Sequence, residues 1–114
     1  MDQRAWPEEI YRKASINNLI LLSFWSLGSD KKISFERLLE QCFHLFPKKF
    51  SFSDYKKWPD SRKLDRPLRN LRAQKLVKYR VEENKAQTFF LSQSGKKKAA
   101  EIMNLFRQRK LILK

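Results

Sequence analysis

Between Asp60 and Lys75 the chain reads "DSRKLDRPLRNLRAQK", and the side chains in that stretch are suited to one kind of chemistry. On a helical wheel of about 100° per residue, Leu64, Leu68 and Leu71 fall in one sector. Arg62, Lys63, Arg66, Arg69, Asn70 and Ala73 fall in the opposite sector, and Arg72 lies beside the leucines. A helix that buries the leucines therefore presents a cationic face, broken within the basic run only by Asp65. Guanidinium is a planar fork of donors that matches phosphate oxygens and the two acceptors of guanine, and a carboxamide matches adenine. The plainer reading is a solvated charged helix, and the scarcity of acids argues against it.

Pro67 sits inside this stretch, and two arrangements accommodate it. In one, Asp65 is the N-cap, Pro67 lies in the first turn where no N–H is needed, and Asp60 to Leu64 form a separate approach turn. Arg66, Arg69 and Asn70 then open the helix, while Arg62 and Lys63 act from the loop side. In the other, one longer helix kinks at Pro67.

The whole composition points the same way. The 114 residues hold 26 Lys plus Arg against 12 Asp plus Glu, a formal net charge of +14. A small domain carrying so much like charge implies an acidic partner, nucleic acid first and an anionic surface second. Nine Phe, three Trp and three Tyr mark a chain that folds. With only two Gly there is no glycine-rich phosphate loop, so nucleotide-dependent catalysis is not expected. One cysteine, Cys42, and one histidine, His44, rule out an internal disulfide and a zinc site built from cysteine or paired histidines. No cofactor and no small-molecule ligand are evident. The start of the chain is polar with both charges, and "LILLSFWSL" (Leu19 to Leu27) is too short to span a bilayer. A cytoplasmic protein is expected, nucleoid-associated if prokaryotic.

One enzymatic pattern has to be weighed. Pro59–Asp60 followed by Glu83, Asn84 and Lys85 matches the bare "PD…ExK" of metal-dependent nucleases, in which two carboxylates hold a divalent ion. The pattern is short. Asp60 also fits as a helix cap, and Glu83 and Lys85 fall in a turn. The chain is therefore expected not to be an enzyme.

The elements that must position the basic helix can be read along the chain. Pro7, Glu8 and Glu9 start a helical segment that either runs on into "INNLILLSFWSL" or breaks near Ser15; Gly28 ends it. Ile33 offers one short extended contribution to a small sheet. Ser34 caps "FERLLEQCFHLF", which Pro47 ends. "PKKFSFSDYKKWP" reads as a loop with one turn capped by Ser53, whose aromatics are expected to pin it to the core rather than stack on bases. "LVKYRVEENKAQTFFL" reads as a β-hairpin in which Val77, Tyr79 and Val81 alternate with Lys78 and Arg80, and Asn84 suits a positive φ. Ser92 or Ser94 caps a last helix through Phe106, and Leu111, Ile112 and Leu113 leave an apolar tail.

This order, with its local motifs, resembles the winged helix-turn-helix superfamily of DNA-binding regulators. "LRNLRAQKLVKYRV" is similar to a recognition helix running into the first wing strand through "L..L...G.I", with Lys75 where the family commonly has glycine. "FFLSQSGKKKA" is similar to the "y.LT..G...a" that leads into the last helix, with Ser92 for threonine. The connection Pro47 to Pro59 is longer than the family's usual turn. The resemblance covers about residues 15–106.

The resemblance implies an α+β, mainly α fold: a winged helix-turn-helix with a small three-stranded sheet, a β-hairpin wing and flanking N- and C-terminal helices. It implies one domain over 1–114, with 107–114 as a helical tail. It further implies sequence-specific binding of double-stranded DNA and transcriptional regulation. The basic helix (about 60–75) would enter the major groove with Arg62, Lys63, Arg66, Arg69 and Asn70. The wing (77–91) would lie on the backbone or minor groove with Lys78, Arg80 and Lys85, and Lys96 and Lys97 would add backbone contacts. Regulators of this kind often pair through terminal helices, so a homodimer is implied as well. The competing expectation is a winged-helix module that binds protein or RNA in a larger assembly.

Overall fold

The computed structural model describes residues 5–112. Their elements run α1 (Glu8–Tyr11), α2 (Ile16–Leu27), β1 (Ile33–Ser34), α3 (Phe35–Leu45) and α4 (Pro47–Phe50). After these come α5 (Arg62–Ala73), β2 (Val77–Val81), β3 (Gln87–Leu91) and α6 (Gln93–Ile112). The apolar tail expected from Leu111 onward lies outside the described side chains.

Helix α2 is the centre of the core. Ser15 accepts a hydrogen bond from the Asn18 N–H at 3.2 Å, so the chain breaks there and starts a new helix rather than continuing α1. Leu19 through Phe24 are buried without interruption, on every side of the helix. That burial places α2 between α3, α5 and α6. Each such leucine or phenylalanine contributes about 1.5–3 kcal/mol relative to exposure. Gly28 ends α2 at φ 120°, a conformation that a Cβ opposes.

The three strands form one antiparallel sheet in the order β1-β3-β2. Ile33 pairs with Phe89, and Tyr79 pairs with Phe89 from the other side. Ser34 leaves the sheet and caps α3 by accepting from the Arg37 N–H at 3.2 Å. The alternation expected for β2 holds only at its first residue. Val77 is buried, but Tyr79 and Val81 are exposed. β2 is an edge strand, so its side chains have a strand neighbour on one side only: Phe89 on β3 stays buried opposite Tyr79, while Tyr79 itself remains 45% exposed. At the hairpin tip the positive φ belongs to Lys85 (65°) and not to Asn84. Asn84 instead uses its side-chain oxygen to accept from the Ala86 N–H at 3.1 Å, which holds the turn while the next residue takes the left-handed position.

Two junctions fix the wing to the basic helix. Helix α5 ends in a Schellman motif: Leu76 N–H donates to the Leu71 carbonyl and Lys75 N–H to the Arg72 carbonyl, both at 3.0 Å. Lys75 takes the left-handed position at φ 63°, where glycine is favoured. At the far end of the hairpin, Ser92 caps α6 by accepting from the Gly95 N–H at 3.0 Å. The Ser92 hydroxyl donates to the Lys75 carbonyl at 2.7 Å, and its N–H donates to the Leu76 carbonyl at 3.0 Å. A Cβ at Gly95 would sit 2.0 Å from that Leu76 oxygen. The serine and glycine of "LSQSG" thus lock the start of α6 onto the end of α5. The architecture is the winged helix-turn-helix expected: mainly helical, with a three-stranded sheet and a hairpin wing.

Candidate nucleic-acid interface

Helix α5 is anchored on one face only. Leu64, Leu68 and Leu71 are buried, and the helix packs on α2, α4 and β2. Its start corrects one of the two sequence arrangements. The helix begins at Arg62 and runs through Pro67, so Asp65 lies inside it and is not the cap. Ser61 stands at the N-cap position but caps nothing with its side chain, and Asp60, one residue earlier, supplies the acceptor. Its carboxylate accepts from the Arg62 N–H at 3.0 Å, while its own N–H donates to the Phe50 carbonyl at 2.7 Å. Pro67, inside the helix, removes the donor that the Lys63 carbonyl would otherwise have received, and its ring crowds that carbonyl.

Asp60 is buried, and its surroundings act on it in opposite directions. Burial opposes its charge. The two hydrogen bonds and the positive charge of Arg62, with Lys63 beyond, outweigh burial and hold its carboxyl below the ordinary carboxylate value. Its chemistry is therefore that of a helix start, and Glu83 lies away in the hairpin tip. Among the described residues, no group of three or more His, Cys, Asp or Glu is placed to hold a metal ion.

The cations nominated from sequence divide by what they touch. Arg66 and Asn70 are exposed on the solvent face of α5 and make no side-chain hydrogen bond or ion pair among the described residues. Arg69 reaches back to Asp65 at 3.0 Å, an exposed i,i+4 pair worth a few tenths of a kcal/mol. Such a pair yields easily to a stronger acceptor. Arg62 is exposed but leans on Asp60 and lies 5.9 Å from the Phe52 ring centroid. Lys63 is half-buried, and its ammonium donates to the Ser51 carbonyl. It holds the preceding loop.

On the wing, Lys78 and Arg80 are exposed, with Arg80 3.9 Å from Glu82, and Lys85 stands at the tip. Lys96 is engaged by Asp30, while Lys97 is exposed beside it.

Two residues that the sequence reading left out of the site belong to the same surface. Arg72 lies 3.7 Å above the centroid of the Tyr79 ring, a cation–π contact joining the end of α5 to the wing. With Arg69, Lys75 and Lys78 it borders an open cleft floored by Tyr79 and Phe90. The cleft collects four cations from α5, β2 and the turn between them, where a bound polyanion would bridge helix and wing. Arg72's place beside the leucine stripe was visible in the sequence. Its ring partner was not, because that depends on the hairpin's position.

The loop before α5 departs from expectation. Its first residues form the short helix α4, because Pro47 at the first position is preset for a helical turn. Phe50 is buried and Phe52 half-buried, as an anchored loop requires. Tyr55 and Trp58 are not anchors: they are 65% and 62% exposed. No cap from Ser53 is found.

No protein-family model matches the sequence, and no curated protein matches it at the sequence level. The fold does match solved structures. It superimposes on MepR, a transcription regulator of the Staphylococcus aureus multidrug efflux pump MepA, with a TM-score of 0.62 at 14% identity. That match covers 93% of this chain and 66% of the MepR chain. A MarR-family transcriptional regulator from Silicibacter pomeroyi matches with a TM-score of 0.60 at 16% identity, covering 89% of this chain and 57% of that one. The chain thus spans about two thirds or less of the length of these regulators. MepR has also been solved bound to ethidium bromide, matching with a TM-score of 0.55 at 13% identity. At these identities the likeness is one of fold. Among the described residues no helix is long and apolar enough to cross a membrane.

Proposed function

We propose that this protein binds double-stranded DNA sequence-specifically and acts as a transcriptional regulator. The observation that carries the reading is the solvent face of α5. It presents Arg66 and Asn70 without internal partners, directly opposite a buried leucine stripe, on a fold shared with transcription regulators.

In this reading α5 lies in the major groove. Arg66, Asn70 and Arg69, once Arg69 leaves Asp65, address base edges. A guanidinium spans the two acceptors of guanine and a carboxamide the donor–acceptor pair of adenine. Arg62 contacts phosphate at the start of the helix, and Lys63 adds charge there while bracing the loop. The wing follows the backbone or minor groove through Lys78, Arg80 and Lys85, and Arg72 and Lys75 line the cleft between. Lys97, with Lys96 beside it, adds backbone charge. Two copies pair through their terminal helices, a reading supported by Leu105, 57% exposed on α6. Such a protein acts in the cytoplasm, on the nucleoid if its source is prokaryotic.

Selection of duplexes from a random library at stated salt tests this directly. A defined consensus is expected. Arg66→Ala and Asn70→Ala each relax the preference at one position, at a cost of about 1–3 kcal/mol against the parent's best site. Lys78→Ala weakens all sequences alike and lowers the salt slope by about 0.9. If Arg66→Ala and Asn70→Ala bind the parent's sequences with the parent's affinity, the reading is wrong.

A further inference from the structure

The connection from α4 to α5 is long, yet it is built as a clasp. Ser51 bridges to Pro59, Phe52 N–H donates to the Trp58 carbonyl at 3.0 Å, and Trp58 N–H donates to the Tyr55 carbonyl at 3.1 Å. Lys63, from α5, closes it by donating to the Ser51 carbonyl. At its end Tyr55 and Trp58 stack on each other, with ring centroids 5.7 Å apart and planes 21° apart. The two rings stay largely exposed, held by the loop's own hydrogen bonds and away from the core. Between them in sequence stand Lys56 and Lys57, both exposed, and Arg62 flanks the base of the loop. The nearby acids are Asp54, exposed, and Asp60, which Arg62 engages.

We propose that Tyr55 and Trp58 form a stacking platform for an unpaired nucleobase flanking the duplex that α5 holds. The inference rests on the DNA-binding reading of α5. Three observations lead to it. The loop that carries the platform is tied at its base to the first turn of α5, through Lys63 and the Ser51 carbonyl, which sets it beside the start of that helix. Its surroundings are cationic, which suits a phosphate backbone and opposes a basic or purely apolar partner. Its rings offer flat faces, and a flat face is what a base offers in return. Inside a paired duplex those faces are covered by neighbouring bases, so only an unstacked or single-stranded base can take the platform.

The experiment compares two labelled DNAs by fluorescence anisotropy with the full chain at fixed salt. One is a blunt duplex bearing the selected site, and the other is the same duplex with a short unpaired thymine flank. The parent is expected to bind the flanked DNA about tenfold more tightly, the scale of one base–aromatic stack. The double variant Tyr55→Ala/Trp58→Ala is expected to lose that gain and keep the blunt-duplex affinity. Tyr55→Phe/Trp58→Phe, which keeps flat rings, is expected to retain most of the gain. Circular dichroism reports whether each variant folds.

Equal binding of both DNAs by the parent overturns the platform while leaving α5 as a duplex reader, and turns the search to a protein partner for the rings. Equal weakening of both DNAs by the alanine variant also overturns it, because the rings then only support the loop. Failure of the parent to bind either DNA removes the reading of α5 and, with it, the platform.

Discussion

Asp60 shows how one side chain sets the position of a site. It is a buried carboxylate whose two functions are to start α5 and to hold Arg62. Asp60→Ala is expected to cost about 1 kcal/mol, within the range of about 0.5–2 for losing a helix cap. The pH dependence has a definite sign. The folded-state carboxyl lies below its ordinary value, so its contribution is complete above the unfolded value of about 3.9 and fades as pH falls through the folded one. Urea unfolding at pH 7 should show the full gap between parent and variant, and the gap should close progressively below about pH 4. A gap that widened in acid would contradict this account. Cys42 gives a second residue-level test. Burial pushes its thiol up to about 12, with a partial offset from a hydrogen bond involving Ser23. Native protein should therefore resist a thiol reagent at neutral pH and react only as fast as it unfolds. Rapid labelling of folded protein would mean that the α2–α3 interface opens locally.

At the scale of elements, the junction between α5 and the wing carries the sharpest trade-off. Lys75 holds a left-handed φ that costs an ordinary side chain about 1 kcal/mol or more. It also borders the cationic cleft with Arg69, Arg72 and Lys78. Lys75→Gly should therefore raise stability by about 0.5–1 kcal/mol in urea unfolding. The same change should weaken DNA binding and lower its salt slope by about 0.9, the share of one phosphate contact. A gain in stability with unaltered binding would take Lys75 out of the interface. Gly95 shows the opposite case. Alanine there would gain about 1 kcal/mol of helix propensity, but its Cβ would meet the Leu76 carbonyl at 2.0 Å. Gly95→Ala should be clearly destabilising, and its effect should appear as a loosened join between the start of α6 and the turn that follows α5. Ser92 and Gly95 were visible in the sequence as a motif. Their joint purpose was not, because it depends on the Leu76 carbonyl, sixteen residues before Ser92.

Across the whole molecule, what could be read from sequence was what short-range patterning controls. Ser34 before an apolar run marked the start of α3, leucine spacing marked the buried face of α5, and two strand-like runs around a turn marked the hairpin, while the break at Ser15 stayed one of two options. What escaped depended on contacts between distant segments. Nothing local says that Asp60 N–H reaches Phe50, that Lys63 braces Ser51, or that Tyr55 and Trp58 turn outward while Phe50 turns in. Assembly is the remaining question at this scale, and the terminal elements frame it. The N-terminal segment already covers one side of α6: Trp6 meets Phe106 edge-on at 5.5 Å, and Arg109 donates to the Ile10 carbonyl at 3.2 Å. Leu105, exposed on α6, is where the proposed second copy would pack. A symmetric pair through this face would bring the two copies of that residue together and duplicate α5, and paired DNA half-sites about one helical turn apart would follow. Pairing must overcome the repulsion of two chains of net charge +14, so it should strengthen as salt screens that charge. Sedimentation equilibrium is expected to show a dimer at micromolar concentration that tightens from low to moderate salt. Leu105→Lys should shift it to monomer while leaving thermal stability within about 0.5 kcal/mol, as for other exposed positions. The same variant should lose the advantage of a palindromic site over a single half-site. A monomer at every salt concentration, with no difference between parent and Leu105→Lys, would show that one chain reads its DNA alone.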